Sequence, residues 1–198
     1  MPVSVTPLAI PEIRLIEPDR HQDPRGYFSE TYNRRDLAKL GIPDELVQDN
    51  HSLSTEIGTV RGLHYQLPPA AQAKLVRVVR GSILDVAVDI RRGSPTFGRH
   101  VAQTLSAAQG GQMFVPVGFA HGFCVLEPDT EVLYKVSAYY SSAHDRGLRW
   151  NDPELAIAWP VGPATAVLSD KDRSLPWLRD LEERDLFVYR GEFDRPWR

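Results

Sequence analysis

Hydrophobic and polar residues alternate through the middle of the chain, and a period of two is typical of β-strands with one face against a core. The run 83–90 is the clearest case, because branched apolar side chains occupy its even positions and Asp85, Ala87 and Asp89 lie on the other face. Gly81-Ser82 precedes this run and predicts a hairpin turn. Further strands are predicted over residues 74–80, 112–115, 123–126 and 131–140.

Helical patterns are few. Asn33 is a typical N-cap and predicts a short helix through Leu40 that Gly41 ends. A second short helix is predicted after Pro176, to about Arg184. The 16 prolines and 14 glycines recur at short intervals and favour short strands joined by turns. The pattern as a whole predicts a mostly antiparallel all-β protein, either a barrel or a sandwich.

Composition narrows the class of protein further. A chain of 198 residues with 42% hydrophobic content suits a single domain over residues 1–198. The net charge of -3 argues against a nucleic-acid-binding protein, and no apolar run is long enough to span a membrane. The single cysteine, Cys124, fits a reducing compartment, and the N-terminus lacks a signal-peptide pattern. We therefore expect a cytoplasmic protein.

The segment 61–66 (RGLHYQ) places His64 inside a predicted strand. An imidazole titrates near neutral pH, so His64 can act as a general base, although a half-buried structural histidine is the commoner case. A metal site is the third possibility, since β-barrel metal sites often use a His-x-His pair. Here Gln66 takes the second position, and His121 in a later motif gives two histidines without an obvious third ligand. We favour a barrel with an emptied metal site, and ligation by Gln or Glu stays open.

Three further residues are candidates for proton transfer or ligand contact. Tyr134 is either core packing or a proton donor facing a base. Tyr140 lies six residues later, on the same face if the strand stays regular, and a rim tyrosine can stack on a nucleobase. Lys74 opens a predicted strand and is either a surface charge or a cation beside a developing enolate.

Two neighbouring carboxylates compete for a role beside His64. Asp172 either caps a short C-terminal helix or accepts a hydrogen bond from His64, which would fix the tautomer of the ring. Asp170 is the rival, and spacing alone does not choose between them. Cations that are either surface charges or suited to phosphate recognition are Arg25, Arg61 and Lys171.

Taken in order, ten segments resemble the dTDP-4-dehydrorhamnose 3,5-epimerases, a family of cofactor-independent sugar-nucleotide epimerases. They cover roughly residues 10 to 176. The matching segments are RGYFSE (25–30), QDNHS (48–52), RGLHYQ (61–66), AKLVR (73–77), DVAVD (85–89), SPTFG (94–98), PVGFAHGF (116–123), LYK (133–135), WNDP (150–153) and SDKD (169–172).

The resemblance implies a double-stranded β-helix, the jelly roll of cupins, that dimerises through an N-terminal exchange region of about residues 1–50. It implies His64 as the base, Asp172 as its partner, Tyr134 as the acid and Lys74 near the C4 oxygen of the substrate. It also implies a nucleotide-sugar substrate, no cofactor, and a homodimer in which some contacts come from the neighbouring subunit. The implied substrate-binding residues are Arg25, Phe28, Glu30, Gln48, Asn50, Arg61, His121, Tyr140, Asp145 and Lys171.

Two segments depart from the family pattern. Asp145 stands where a glutamate is expected, and the tail over about residues 176–198 has no counterpart. The predicted reaction is epimerisation of dTDP-4-dehydro-6-deoxy-D-glucose at C3 and C5. The alternatives are a single-centre epimerase of a related keto sugar, a metal-dependent cupin enzyme, and a non-catalytic sugar-binding cupin.

Overall fold

A computed structural model describes residues 3–42 and 45–191. The chain is mostly β-structure, as its alternating pattern predicts. The helices are α1 (Arg34–Lys39) and α2 (Asp170–Arg173), with 3₁₀ turns at Leu178–Asp180 and Glu183–Asp185. The strands are β1 (Val3–Pro7), β2 (Arg14–Pro18), β3 (His21–Asp23), β4 (Gly26–Phe28), β5 (Gln48–Ser54), β6 (Val60–Gln66), β7 (Lys74–Arg80), β8 (Ser82–Asp89), β9 (Arg91–Arg92), β10 (His100–Ser106), β11 (Gln112–Val115), β12 (Phe119–Val125), β13 (Thr130–Val136), β14 (Asp145–Gly147) and β15 (Phe187–Val188).

Two large sheets form the body of the domain. The first has six strands in the order β1-β2-β11-β7-β13-β5, and the second has five in the order β10-β8-β12-β6-β14. Neighbouring strands in both sheets are antiparallel. The chain alternates between the sheets from β5 to β8 and again from β10 to β14, so the expected jelly roll is confirmed and the open choice between barrel and sandwich is resolved.

The main core lies between the two sheets. Val76 and Val132 of the first sheet pack in one buried cluster with Ile83, Phe123 and Val125 of the second. Burial of apolar side chains against each other is the dominant favourable term in folding, and this cluster joins the two layers. The same inward faces continue beyond the cluster into polar side chains, which form the site described below.

Short segments cover the outer faces of the sheets. Leu37 of α1 packs with buried residues of the first sheet, among them Leu75 and Phe114. Leu178 packs against the outer face of the second sheet, where Val86 and Val88 are buried. The tail is therefore part of the hydrophobic structure as far as Phe187, and residues 192–198 lie outside the described residues. None of the described helices is long and apolar enough to cross a membrane.

The predicted hairpin at Gly81-Ser82 is wrong. β7 pairs with β11 and β13, whereas β8 pairs with β10 and β12, so the chain crosses from one sheet to the other at this turn. The strands around residues 112–126 likewise belong to different sheets. β13 ends at Val136, four residues before the predicted end at Tyr140. Alternation along the chain marks the strands, but it does not report the pairing partner.

The first predicted helix is confirmed. The Asn33 side chain accepts hydrogen bonds from the backbone N–H groups of Arg35 and Asp36, and Gly41 follows in the left-handed region. The second predicted helix is wrong, since two 3₁₀ turns separated by extended backbone replace it. The sequence also did not lead us to predict α2, a single turn that begins after Ser169.

Candidate active site

Side chains from both sheets line a cleft between them. Lys74 and Tyr134 enter it from the first sheet, and His64 and His121 enter it from the second. A cavity of about 430 Å³ contains all four. A second cavity of about 210 Å³ shares three of them and extends the cleft towards Tyr140. The cleft is thus large enough for a sugar and open along one side.

His64 forms a hydrogen-bonded pair with Asp172. Nε2 of His64 lies 2.6 Å from Oδ1 of Asp172, and the carboxylate is buried. Burial opposes ionisation of Asp172, but the hydrogen bonds from His64 and the Gly62 backbone hold its pKa below the usual value. The ionised carboxylate therefore accepts a hydrogen bond from Nε2–H of His64. This leaves Nδ1 as the nitrogen that can take a proton.

The small helix α2 determines which aspartate pairs with His64. Ser169 caps the helix by accepting a hydrogen bond from the backbone N–H of Asp172. Asp172 is buried on the side of β6, whereas Asp170 is exposed. The sequence left both aspartates open and offered Asp172 as a helix cap. The geometry selects Asp172 for the pair, and Ser169 is the cap.

Lys74 is a buried cation at the base of the cleft. Its Nζ donates a hydrogen bond to the backbone oxygen of His64 at 3.1 Å. Burial lowers the pKa of Lys74 to about 8, while the carboxylates of Asp85 and Asp145 act in the opposite direction and the Lys171 ammonium adds to the lowering. The side chain is therefore a positive charge in a poorly hydrated position, where electrostatic interactions are strong.

Tyr134 faces His64 across the cleft from the opposite sheet. Burial raises the pKa of its phenol, the positive charge of Arg61 lowers it, and Asp145 raises it. The raised pKa keeps the hydroxyl protonated at neutral pH, which suits a proton donor. Tyr134 and Val132 share the inward face of β13, so alternation places the phenol at the point where core packing gives way to the cleft.

A second histidine–aspartate pair lies beside the first and was not predicted from the sequence. His121 stands directly opposite His64 in the pairing of β12 with β6. Its Nε2 lies 2.7 Å from Oδ1 of Asp85, and both residues are buried. Burial lowers the pKa of His121, and the Asp85 carboxylate acts against that effect. The signal in the sequence was an aspartate between apolar neighbours in the middle of a strand.

Polar side chains close one end of the cleft. Lys171 forms an ion pair with Asp145, and the Tyr140 hydroxyl lies 3.3 Å from the same carboxylate. The backbone N–H of Tyr140 donates to the side chain of Gln48 at 3.1 Å. Tyr140 is largely exposed and follows β13 in a loop, so the expectation that strand alternation places it is wrong. It nevertheless lies at the rim of the cleft.

The inward face of β5 forms a polar edge. Gln48 donates a hydrogen bond to Asn50 at 2.8 Å, and Asn50 stands opposite Tyr134 in the strand pairing. Further along, Ser54 accepts a hydrogen bond from Nε of Arg61 at 3.0 Å. This bond and a second one to a backbone oxygen hold the guanidinium of Arg61 at the cavity wall.

Three predicted binding residues lie away from the cleft of their own chain. Arg25 is exposed in the β3–β4 hairpin and pairs with Asp23, and Phe28 is 71% exposed. Glu30 accepts a hydrogen bond from the side chain of Asn33. None of the three lines either cavity. The structure therefore does not bring them together with His64 within one subunit.

The side chain of Gln66 is committed to backbone groups. Its amide nitrogen donates to the oxygens of Ala70 and Tyr139, and its oxygen accepts from the N–H of Ser141. These bonds position the loop that carries Tyr140. Within residues 3–42 and 45–191, no group of three or more His, Cys, Asp or Glu side chains is arranged to hold a metal ion.

Comparisons with known proteins identify relatives of this chain. The family model described as dTDP-4-dehydrorhamnose 3,5-epimerase matches residues 7–180. The dTDP-4-dehydrorhamnose 3,5-epimerase of Sinorhizobium fredii is 55% identical, over 88% of this chain and 89% of its own. The crystal structure of dTDP-6-deoxy-D-glucose-3,5-epimerase from Legionella pneumophila, in complex with dTDP-4-keto-L-rhamnose, superposes with a TM-score of 0.91 at 41% identity, covering 96% and 100% of the two chains. The dTDP-4-dehydrorhamnose 3-epimerase of Streptomyces niveus is 38% identical, over 91% of this chain and 86% of its own.

Proposed function

Because the chain belongs to the dTDP-4-dehydrorhamnose 3,5-epimerase family, we propose that it converts dTDP-4-dehydro-6-deoxy-D-glucose into dTDP-4-dehydro-L-rhamnose. The single observation that supports the chemistry is the placement of His64 and Tyr134 on opposite sheets around one cavity. A base and an acid on opposite sides of a sugar ring can remove a proton from one face and return one to the other. That exchange inverts a carbon centre.

The first half of each inversion is enolisation. The C4 ketone of the substrate acidifies the hydrogens at C3 and C5, so no redox cofactor is required for this step. Nδ1 of His64 takes the proton, the C–H electron pair becomes the enolate double bond, and negative charge moves to the C4 oxygen. The ammonium of Lys74 stabilises that oxygen. Removing one donor to an oxyanion typically costs about 10²–10³-fold in rate.

The second half is protonation from the opposite face. The Tyr134 phenol gives its proton to the same carbon, the enolate electrons form the new C–H bond, and the ketone is restored. Proton exchange with solvent returns His64 and Tyr134 to their starting states. Repeating the sequence at the other carbon inverts C3 and C5 in turn.

The remaining polar residues of the cleft suit the nucleotide part of the substrate. Arg61, His121 and Lys171 offer positive or hydrogen-bonding groups to the sugar and the diphosphate. Tyr140 is an exposed ring at the rim, where it can stack on thymine, with Gln48, Asn50 and Asp145 beside it. We assign Arg25, Phe28 and Glu30 to the cleft of a neighbouring subunit, since all three lie outside their own.

Turnover in heavy water tests the proposal. The keto sugar nucleotide is incubated with the protein in deuterium oxide, and the product is examined by mass spectrometry and NMR. We expect deuterium at both C3 and C5, together with inverted configuration at both. Recovery of unlabelled, unchanged substrate would refute the proposed activity.

A single-centre epimerase is the second candidate. The similarity to the 3-epimerase of Streptomyces niveus supports it, because that protein is named for one centre only. In the same heavy-water experiment, stable inversion at one carbon with the other configuration retained would establish this candidate. Inversion at both carbons would exclude it.

We propose that the protein works as a homodimer in the cytoplasm. The placement of Arg25 and Phe28 outside their own cleft supports the dimer, because a second copy of the chain would offer them a cleft in which to contact substrate. The cytoplasm is supported by the one cysteine in the sequence, Cys124, a buried free thiol. Reducing compartments are where proteins without disulfides are usual.

A further inference from the structure

Asp85 is a buried carboxylate that lies behind the substrate cleft without lining it. It sits in the middle of β8 and is fully buried, and its Oδ1 accepts the hydrogen bond from His121. Its second oxygen, Oδ2, has no hydrogen-bond partner among the described residues. A buried carboxylate oxygen without a donor is unfavourable for folding, so the presence of Asp85 at this position needs an explanation other than stability.

The surroundings of Asp85 supply one. Lys74 is also buried, and Asp85 is the carboxylate with the largest favourable effect on its charge. The titratable groups around Lys74 come from six other elements: Asp85 on β8, Asp145 on β14, Arg61 and His64 on β6, His121 on β12, Tyr134 on β13, and Lys171 and Asp172 on α2. Asp145 already forms an ion pair with Lys171, so its charge also stabilises a second cation. The Asp85 carboxylate is hydrogen-bonded to His121 instead.

On the premise of the function proposed above, we propose that Asp85 is a positioning residue, which keeps the Lys74 ammonium charged for the enolate oxygen and orients the His121 ring. Asp85 touches no substrate in this arrangement, since it lines neither cavity. It acts through two residues that do line the cleft. The carboxylate accepts a hydrogen bond from Nε2–H of His121, so Nδ1 of that ring carries the lone pair.

The charge of Asp85 should change the pKa of Lys74 in a direction that can be measured. Burial alone drives Lys74 towards its neutral form, and the Asp85 carboxylate opposes this change. Replacing Asp85 by asparagine keeps the shape and removes the charge. Because the Asp85 carboxylate favours the charged form of Lys74, the pKa of Lys74 in Asp85→Asn should fall below its value near 8. As pH rises, the activity that requires the ammonium should then be lost at a lower pH than in the wild-type protein.

A direct titration tests this without substrate. The chain contains four lysines, Lys39, Lys74, Lys135 and Lys171, so ¹³Cε-labelled lysine gives a simple NMR spectrum in which Lys74→Arg identifies the signal of interest. We expect the Lys74 signal to titrate near pH 8 in the wild-type protein, lower in Asp85→Asn, and near the wild-type value in Asp85→Glu. An unchanged titration in a folded Asp85→Asn protein would overturn the proposal. The other three lysine signals report whether the variant is folded.

Kinetics separate this proposal from the function on which it depends. In wild-type protein, kcat/KM should fall as pH rises through about 8, and in Asp85→Asn the same fall should occur at lower pH. A merely structural role would reduce kcat/KM equally at every pH. If no epimerisation occurs in any variant, the proposed function fails while the lysine titration still decides the role of Asp85.

A measurement on the unaltered protein covers the case in which Asp85→Asn does not fold. The ¹⁵N spectrum of the six imidazoles, with His121→Gln to assign the signal, reports which ring nitrogen carries the proton. We expect a neutral His121 protonated on Nε2. A His121 protonated on Nδ1 would remove Asp85 from the orienting role.

Discussion

At the scale of single residues, the base and the acid should fail in different ways. His64→Ala removes the group that takes the proton from carbon, so neither enolisation nor exchange with solvent occurs. Tyr134→Phe keeps the base and the enolate but removes the donor on the opposite face. We expect each variant to lose about 10²–10⁴-fold in epimerisation rate. Hydrogen exchange at one centre should persist only in Tyr134→Phe, and mass spectrometry of substrate recovered from heavy water measures it.

Exchange at the wild-type rate in His64→Ala would remove His64 from the base role. Asp170→Asn is the matched control for the His64–Asp172 pair, because Asp170 is an exposed acidic neighbour on the same short helix. It should retain wild-type rates of both exchange and epimerisation.

The sequence allowed some of these residues to be predicted and not others. His64 stood out through its motif, and the resemblance to a family assigned its partner. Spacing could not choose between Asp170 and Asp172, because the choice depends on how one turn of helix sits against β6. Asp85 was recognised as part of an alternating strand. Its position behind the cleft could not be predicted before the order of strands in the two sheets was known. Residues far apart in sequence meet here through sheet packing alone.

At the scale of elements, the wrong hairpin shows what a local pattern lacks. Gly81-Ser82 allows a tight change of direction, and that geometry serves a hairpin within one sheet or a crossing between two sheets. The strands were predictable from period-two alternation, but alternation did not identify the buried faces of β8, where Asp85 and Asp89 are fully buried. The order β10-β8-β12-β6-β14 depends on contacts between distant segments. β13 ends at Val136 because both of its partner strands begin opposite that residue, β5 at Gln48 and β7 at Lys74.

The close approach of β6 and β12 is the feature of the elements that most directly supports the site. Gly62 has a φ of +126°, and a Cβ at this position would lie 2.7 Å from the Cα of Gly122. His64 lies two residues after Gly62, His121 directly precedes Gly122, and the two histidines face each other in the pairing of β6 with β12. Gly62→Ala should destabilise the fold by about 1–3 kcal/mol, because it adds both backbone strain and a steric overlap.

Thermal unfolding of Gly62→Ala measures this effect, and we expect a lower Tm together with reduced activity. Gly162→Ala is the control, since a Cβ there meets no atom within 4 Å and φ is not in the left-handed region. A Gly62→Ala protein with the Tm of Gly162→Ala would show that the strands can separate there at no cost.

At the scale of the whole molecule, the cleft of one chain does not contain every residue assigned to substrate binding. The cleft of a single subunit contains the proton-transfer residues and the polar edge of β5. Arg25 and Phe28 extend from an exposed hairpin instead. An exposed aromatic ring beside a cation is typical of a surface that contacts a partner or a ligand. A second copy of the chain is the partner that would place these residues at a cleft.

Mixed dimers test this placement. A His64→Ala chain and an Arg25→Ala chain, co-expressed with different affinity tags and purified by both, give dimers with one chain of each kind. If Arg25 serves the neighbouring cleft, the Arg25→Ala chain has an intact His64 and receives Arg25 from its partner, so each dimer keeps one complete site and about half of the wild-type activity. If Arg25 serves its own cleft, both sites are defective and activity stays at the level of the single variants. Dimers of His64→Ala with Tyr134→Phe are the control, because both changes affect the subunit's own cleft and mixing cannot restore either site.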